Sequence, residues 1–198
     1  MDAAIREKIK LSFSDFIASG RHRVCYQHPF DNSRCIKIHH NAVNIKETLR
    51  ETRYYYHINN RKRTPSTIPK YYGTLETNLG KGYVFQLIKD NTGCVSQTLD
   101  YYLRKEGYFE ENKKEIQVAY MEFREQIYND AIATMTLKTY NIVYQLGYKP
   151  YGKFVLVDNL GSAKLIPLDY FSVFARLTLR RRFADFEKLL YRAYSITI

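Results

Sequence analysis

The sequence predicts an α+β protein in two parts: a five-stranded antiparallel sheet with one inserted helix, then a reduced, mostly helical region. Short apolar runs separated by turn formers fill residues 11–88, and a helical periodicity interrupts them once, at 42–60. Beyond Asn91-Thr92-Gly93 the apolar spacing turns helical, broken by a hairpin-like segment near 142–157. A chain of 198 residues, 45% hydrophobic and 26% charged, has enough apolar material for a packed core, which excludes global disorder.

Residues 11–18 roughly alternate apolar and polar, predicting the first strand. Ser19-Gly20-Arg21-His22-Arg23 is a turn, Val24-Cys25-Tyr26 the second strand, and His28-Pro29-Phe30-Asp31-Asn32-Ser33 a second turn. Cys35-Ile36-Lys37-Ile38-His39 is the third strand. Its period of two puts Cys35, Lys37 and His39 on one face and the isoleucines on the other. The helix at 42–60 offers Ile45, Leu49, Thr52 or Tyr56, and Ile58 as its buried stripe. A basic loop with Arg61-Lys62-Arg63 follows. Residues 68–76 and 82–88 are strands four and five around Asn78-Leu79-Gly80-Lys81, and 86–90 form the crossover. Helices are expected at 95–105 and 112–132, the second with Ile116, Ala119, Tyr120, Phe123 and Ile127 inward. Strands at 142–144 and 154–157 enclose a Gly- and Pro-containing turn, and the tail is helical with the run Arg180-Arg181-Arg182.

Cys25, Cys35 and Cys94 make neither a zinc-type pair nor an even disulfide framework, so reduced thiols are expected. No apolar run reaches the roughly 20 residues of a spanning helix. The charged amino terminus lacks the apolar stretch of a signal peptide, so a cytoplasmic protein is expected. A formal charge of +11 favours polyanionic partners: nucleotide phosphates, an anionic membrane surface or nucleic acid. Three charges in one loop are weak support for nucleic acid, and 31 Lys and Arg can equally serve as a solvated surface.

The chemistry concentrates in Thr134-Met135-Thr136-Leu137-Lys138-Thr139-Tyr140-Asn141, followed after the hairpin by Asp158-Asn159-Leu160-Gly161. A lysine is a point charge for phosphate, and amide and carboxylate oxygens are hard ligands for Mg²⁺. Leu137-Lys138-x-x-Asn141, then Asp158 with Gly161, resembles the catalytic loop and metal motif of protein kinases. Thr136 stands where that resemblance requires a catalytic aspartate. Ile17-Ala18-Ser19-Gly20-x-x-x-Val24-Cys25-Tyr26 resembles the kinase glycine-rich loop with only Gly20 kept; Arg21 and Arg23 can replace missing phosphate contacts. By the same resemblance Lys37 is the strand-three lysine and Glu51 its helix partner, with Glu47 as competitor. The bland alternatives are a solvated edge-strand lysine and an exposed helical carboxylate.

Several segments in order carry a closer resemblance. Ser19-Gly20-Arg21-His22-Arg23-x-Cys25-Tyr26-x-His28-Pro29, Arg34-Cys35-Ile36-Lys37-Ile38, Tyr71-Tyr72-Gly73-Thr74-x-Glu76-Thr77, Thr134-Met135-Thr136-Leu137-Lys138 and Asp158-Asn159-x-Gly161 are similar to the YrbL family of PhoP regulatory network proteins. The likeness runs from about residue 14 to 190. It implies a bacterial protein with a two-lobed, protein-kinase-like fold, a single domain over 1–198 with an N-lobe at 11–88 and a reduced C-lobe at 91–198. The family is linked by name to a magnesium-responsive regulator.

Three functions follow as expectations. The first is a nucleotide-binding, atypical kinase-like protein with a regulatory role and weak or no phosphotransfer. It would use ATP or another nucleotide with Mg²⁺: Gly20, Lys37, Glu51 and Lys138 for the nucleotide, Asn141 and Asp158 for the metal, Thr136 and Lys138 at the reacting phosphate. A threonine hydroxyl is a poor general base, yet phosphoryl transfer rests mainly on positioning and charge, so its presence lowers the rate without forbidding transfer. The second is a phosphotransferase or nucleotidyl transferase acting on a small molecule or glycan; the short tail after Gly161 argues against a protein substrate. The third is a basic module that binds a polyanion.

Overall fold

Residues 8–40, 45–61, 65–148, 151–163 and 167–198 are described in the computed structural model. The expected helix start at 42–44 and Lys62-Arg63 of the basic loop lie outside them. The chain divides into two compact units, one spanning Met1–Lys46 with Lys70–Leu87, the other Glu47–Pro69 with Ile88–Ile198.

The first unit is one antiparallel sheet: β1 (Phe16–Ser19), β2 (Arg23–His28), β3 (Asp31–His39), β4 (Tyr71–Thr77) and β5 (Gly80–Gln86), in the order β1-β2-β3-β5-β4. β1 is shorter than the alternation suggested, because Phe13–Asp15 form a 3-10 turn. Asp15 Oδ2 accepts from the Ser12 amide at 2.8 Å, and this local bond competes successfully with strand pairing. β3 begins earlier than expected, at Asp31, which pairs with His28 and leaves only Pro29-Phe30 in the turn.

Strand alternation works as anticipated on β3. Ile36 and Ile38 join Leu11 in a buried cluster, with Ile9, Tyr26 and Leu75 packed against it. Gly82 opposes Ile38 in the β3–β5 register, and a Cβ there would lie 2.5 Å from Ile36 Cγ2, so a side chain would displace the isoleucine. The Asn78 side chain clamps Leu11, its Oδ1 accepting from the Leu11 amide at 2.8 Å and its Nδ2 donating to the Leu11 carbonyl at 3.0 Å.

The second unit contains α1 (Lys46–Asn59), α2 (Leu99–Arg104), α3 (Tyr108–Glu111), α4 (Lys113–Asn129), the hairpin β6 (Ile142–Gln145) with β7 (Lys153–Leu156), and α5 (Ser172–Tyr194). α1 buries Thr48, Glu51, Thr52, Tyr54, Tyr55 and Ile58, whereas Leu49 and Tyr56 are exposed, so its inward face is rotated from the expected stripe. The aromatics outcompete the leucine because they bury more area per residue. α2 starts at Leu99 rather than 95. Thr98 caps it by accepting from the Tyr101 amide, while Val95 and Thr98 bridge to Lys89 and Val143.

α4 buries Ile116, Ala119, Tyr120, Phe123 and Ile127 as expected, but stops at Asn129, and Ala131 takes a φ of 48°. α5 presents Ala175, Leu179, Phe183, Phe186 and Leu190 inward. Phe183 meets Tyr120 and Phe123 edge-on, with ring centroids 6.2 Å apart in both cases. Each such buried aromatic is worth about 1.5–3 kcal/mol of burial. Among the described residues, no helix is long and apolar enough to cross a membrane.

Candidate functional site

The loop after α4 and the turn after β7 are laced together by main-chain bonds. Thr134 and Leu160 form an antiparallel bridge. The Asn159 carbonyl accepts from the Met135 amide at 3.0 Å and from Thr134 Oγ1 at 3.0 Å. Gly161 N donates to the Ala133 carbonyl at 2.9 Å, and Val157 N to the Asn141 carbonyl at 2.8 Å. Asn141 therefore lies beside the end of β7, immediately before Asp158. The register Ile142↔Leu156 dictates this, since Asn141 precedes one strand of the hairpin and Asp158 closely follows the other.

α1 closes the third side. The Tyr54 hydroxyl accepts from the Ala133 amide at 2.6 Å, and its ring packs on Tyr170 with centroids 5.0 Å apart. Burial pushes the Tyr54 phenol up to about 12, partly opposed by the Ala133 amide and by Arg61. Arg61 donates to the Asp130 carbonyl at 2.6 Å, tying the end of α1 to the end of α4. Gly161, at φ 91°, lies so close to α1 that a Cβ would be 3.2 Å from Tyr54 Cβ and 3.4 Å from the Arg50 carbonyl. Glu51, one turn before Tyr54, is 3% exposed, whereas Glu47 faces solvent. The surface-carboxylate reading fits Glu47 and fails for Glu51.

Within this frame Thr136 is half-buried, and its Oγ1 accepts from Asn159 Nδ2 at 2.9 Å. Its hydroxyl partner is thus a neutral amide. Lys138 Nζ sits 5.3 Å from the Tyr140 ring centroid, a cation–π contact. Asn141 is 7% exposed and ends a 3-10 turn closed by its amide on the Lys138 carbonyl at 3.0 Å. Asp158 Oδ1 accepts from the Asn159 amide at 2.8 Å, which holds the carboxylate against its own turn with Asn159 at φ 64°.

The match to known proteins covers this assembly whole. The family model for PhoP regulatory network protein YrbL matches residues 9–190, a span that includes every candidate residue. The chain belongs to the YrbL family. The YrbL protein of Escherichia coli (strain K12) is 37% identical over 176 residues, 88% of this chain and 83% of that relative. The YrbL protein of Shigella flexneri matches with the same identity and coverage.

In this YrbL-family chain, the second unit brings Thr136, Lys138, Asn141 and Asp158 onto two laced segments, with Glu51 on the helix that packs against them. Gly20 and Lys37 belong to the sheet unit. Lys37 is half-buried on a central strand, opposite Cys25 and Tyr83, and its Nζ lies 4.8 Å from the Phe85 ring centroid. That position removes the solvated edge-strand reading. Gly20 closes its turn by donating to the Arg23 carbonyl at 2.8 Å; a Cβ there would meet only that carbonyl oxygen, at 3.5 Å. Packing alone does not require glycine at this point.

Two supports were not singled out from sequence. Asp100 receives Thr139 Oγ1 at 3.0 Å and the Tyr194 hydroxyl on Oδ1, with Arg104 Nε at 2.7 Å on Oδ2. Burial pushes its pKa up, but the bonds from Arg104, Tyr194 and Thr139 outweigh it and hold the carboxyl below the ordinary range. Asp169 is buried, accepting from Ser162 and Thr178 at 2.9 Å each, and anchors the chain after Gly161 to α5. The Asp158-Asn159-x-Gly161 string could have suggested Asn159. For Asp100 the sequence offered only the i,i+4 pairing with Arg104, because its other partners, Thr139 and Tyr194, are 39 and 94 residues away.

Asn141 and Asp158 offer one amide and one carboxylate oxygen from adjacent backbone segments. Among the described residues no three His, Cys, Asp or Glu side chains cluster as a metal cage. Two hard donors suit Mg²⁺, which keeps waters and takes further ligands from phosphate, better than a fully protein-ligated ion.

Proposed function

We propose that this protein is a nucleotide-binding member of the YrbL family with a protein-kinase-like two-lobed fold, acting as a regulator with weak or no phosphotransfer. ATP with Mg²⁺ is its ligand in this reading. Asn141 and Asp158 hold the metal, Lys138 meets the terminal phosphate, and Thr136 lies where an attacking hydroxyl is oriented. Bound Mg²⁺ would neutralise phosphate charge there. Glu51 supports this site from α1, while Gly20 and Lys37 are the phosphate-binding candidates of the sheet unit taken by itself.

One observation carries the reading: the Asn141 carbonyl bonded to Val157 N, with the Asn159 bridge beside it, keeps a lysine, an amide and a carboxylate on braced, adjacent segments. The reduced chemistry rests on the bond from the Asn159 amide to Thr136 Oγ1. Neither group is a carboxylate able to accept a proton from an attacking hydroxyl, so positioning and charge remain while general-base catalysis is lost.

Isothermal titration with ATP, with and without Mg²⁺, beside mass spectrometry of products, tests the proposal. Metal-dependent binding is expected. Asp158→Ala removes the metal dependence, Thr136→Ala leaves affinity nearly intact, and Lys37→Ala weakens binding. Turnover on the order of 1 per second or faster would overturn the weak-catalyst part. Metal-independent binding, or none, would overturn the nucleotide part.

A further inference from the structure

The outward side of α5 is unusual for a surface helix. Its inward stripe of Ala175, Leu179, Phe183, Phe186 and Leu190 is fully used in packing, yet apolar residues continue on the opposite side of its first turns. Phe171, just before the helix, is 65% exposed; Val173 is 63%, Leu177 57% and Phe174 45%. Scattered single apolar side chains need no explanation, but four within two turns form a contiguous patch. At helical spacing beyond Leu177, the same outward side carries Arg180 and Arg181, then Lys188 and Arg192.

Arg181 extends into solvent with its side chain 84% exposed, and its acidic neighbour Asp185 sits 3.9 Å away. The first turn holds no acidic residue. Beside it, Arg176 donates through two nitrogens to the Tyr128 and Asn129 carbonyls at 3.3 Å and shapes the patch edge, whereas exposed Arg180 meets the Tyr128 hydroxyl through Nη2 at 3.4 Å, a long bond that a lipid phosphate can displace. Arg50 and Arg53 of α1 lie near enough to the Tyr170 phenol to act on it electrostatically, which adds positive charge at the start of the stripe.

We propose that this stripe docks the protein on the surface of a bilayer containing acidic phospholipid, with Phe171, Phe174 and Leu177 entering the headgroup layer and Arg180, Arg181 and Arg192 meeting lipid phosphates. Charge complementarity selects the occupant. Apolar anchors followed along one helix face by guanidinium groups match the acyl boundary and the phosphates of one flat interface, and the helix lies parallel to it. A net charge of +11 supplies long-range attraction to the same surface. The contact is peripheral, consistent with the lack of a spanning helix among the described residues. It stands apart from the nucleotide reading, since α5 supplies none of that site's residues.

The test is co-sedimentation of the full chain with phosphatidylcholine vesicles, with and without phosphatidylglycerol. Binding is expected only with the acidic lipid, and salt should weaken it. Phe174→Ser with Leu177→Ser should lower partition at least tenfold. Arg180→Gln with Arg181→Gln should lower it by about fivefold for each charge removed. These positions face solvent, and circular dichroism checks that the variants fold. No phosphatidylglycerol-dependent binding, or binding unmoved by both double variants, overturns the proposal. So does a wild-type dimer in sedimentation velocity that Phe174→Ser with Leu177→Ser dissolves while lipid binding is absent; that result assigns the stripe to self-association.

Discussion

Gly161→Ala is the sharpest probe of how α1 braces the turn behind Asp158. Two effects act at this position. With φ at 91°, alanine sits in a backbone region that costs an L-residue about 1–2 kcal/mol. Its Cβ would also lie 3.2 Å from Tyr54 Cβ and 3.4 Å from the Arg50 carbonyl. Both neighbours belong to the frame of α1, so relief requires the helix or the turn to move, and overpacking of this kind adds about 1–3 kcal/mol. Gly93 provides the control: its φ is 85°, but a Cβ there meets nothing within 4 Å. Gly93→Ala should therefore cost about 1–2 kcal/mol from strain alone, against about 2–5 kcal/mol for Gly161→Ala, and the denatured-state effect of alanine lowers both figures alike by about 0.4–1 kcal/mol. The sequence has no tryptophan, so urea unfolding is best followed by helical circular dichroism. With a slope of about 2 kcal/mol per molar urea, the Gly161 variant should lose about 1–2 M in midpoint. Equal midpoints for the two variants would refute the close approach of turn to helix.

Tyr54→Phe keeps the ring against Tyr170 but leaves the buried Ala133 amide without its acceptor; a loss of about 1–3 kcal/mol is expected in the same assay, and a change below about 0.5 kcal/mol would deny that bond a structural role. Asp100→Asn tests the clamp on Thr139. Because the folded carboxyl is held below its ordinary range, its stabilisation is present above about pH 4 and fades as pH falls through the lower folded value. Melting curves of the wild type and variant should thus differ at neutral pH and converge in acid; a gap that persists below about pH 2 would count against the ionic bonds.

Much of this protein was written locally. Strand period two on Cys35-Ile36-Lys37-Ile38-His39 correctly sent both isoleucines to the core. Helical spacing named the five buried residues of α4, and turn formers marked the hairpins of the five-stranded sheet. The YrbL segments were equally visible, because family membership resides in residues in order. Other features depended on what each element packs against. α1 was legible as a helix, yet its rotation was set by Tyr54 and Tyr55 turning inward, which exposed Leu49 and separated buried Glu51 from exposed Glu47. Residues 95–98 are extended because Val95 and Thr98 find bridge partners at Lys89 and Val143. Lys37 gained its setting from strand order, which put β3 in the middle of the sheet. The bonds that brace Thr136, Thr139 and Gly161 join residues brought together from distant parts of the chain. A sequence pattern records the period of an element, whereas its facing and its hydrogen-bond partners are chosen by the whole fold when buried polar groups must all be satisfied.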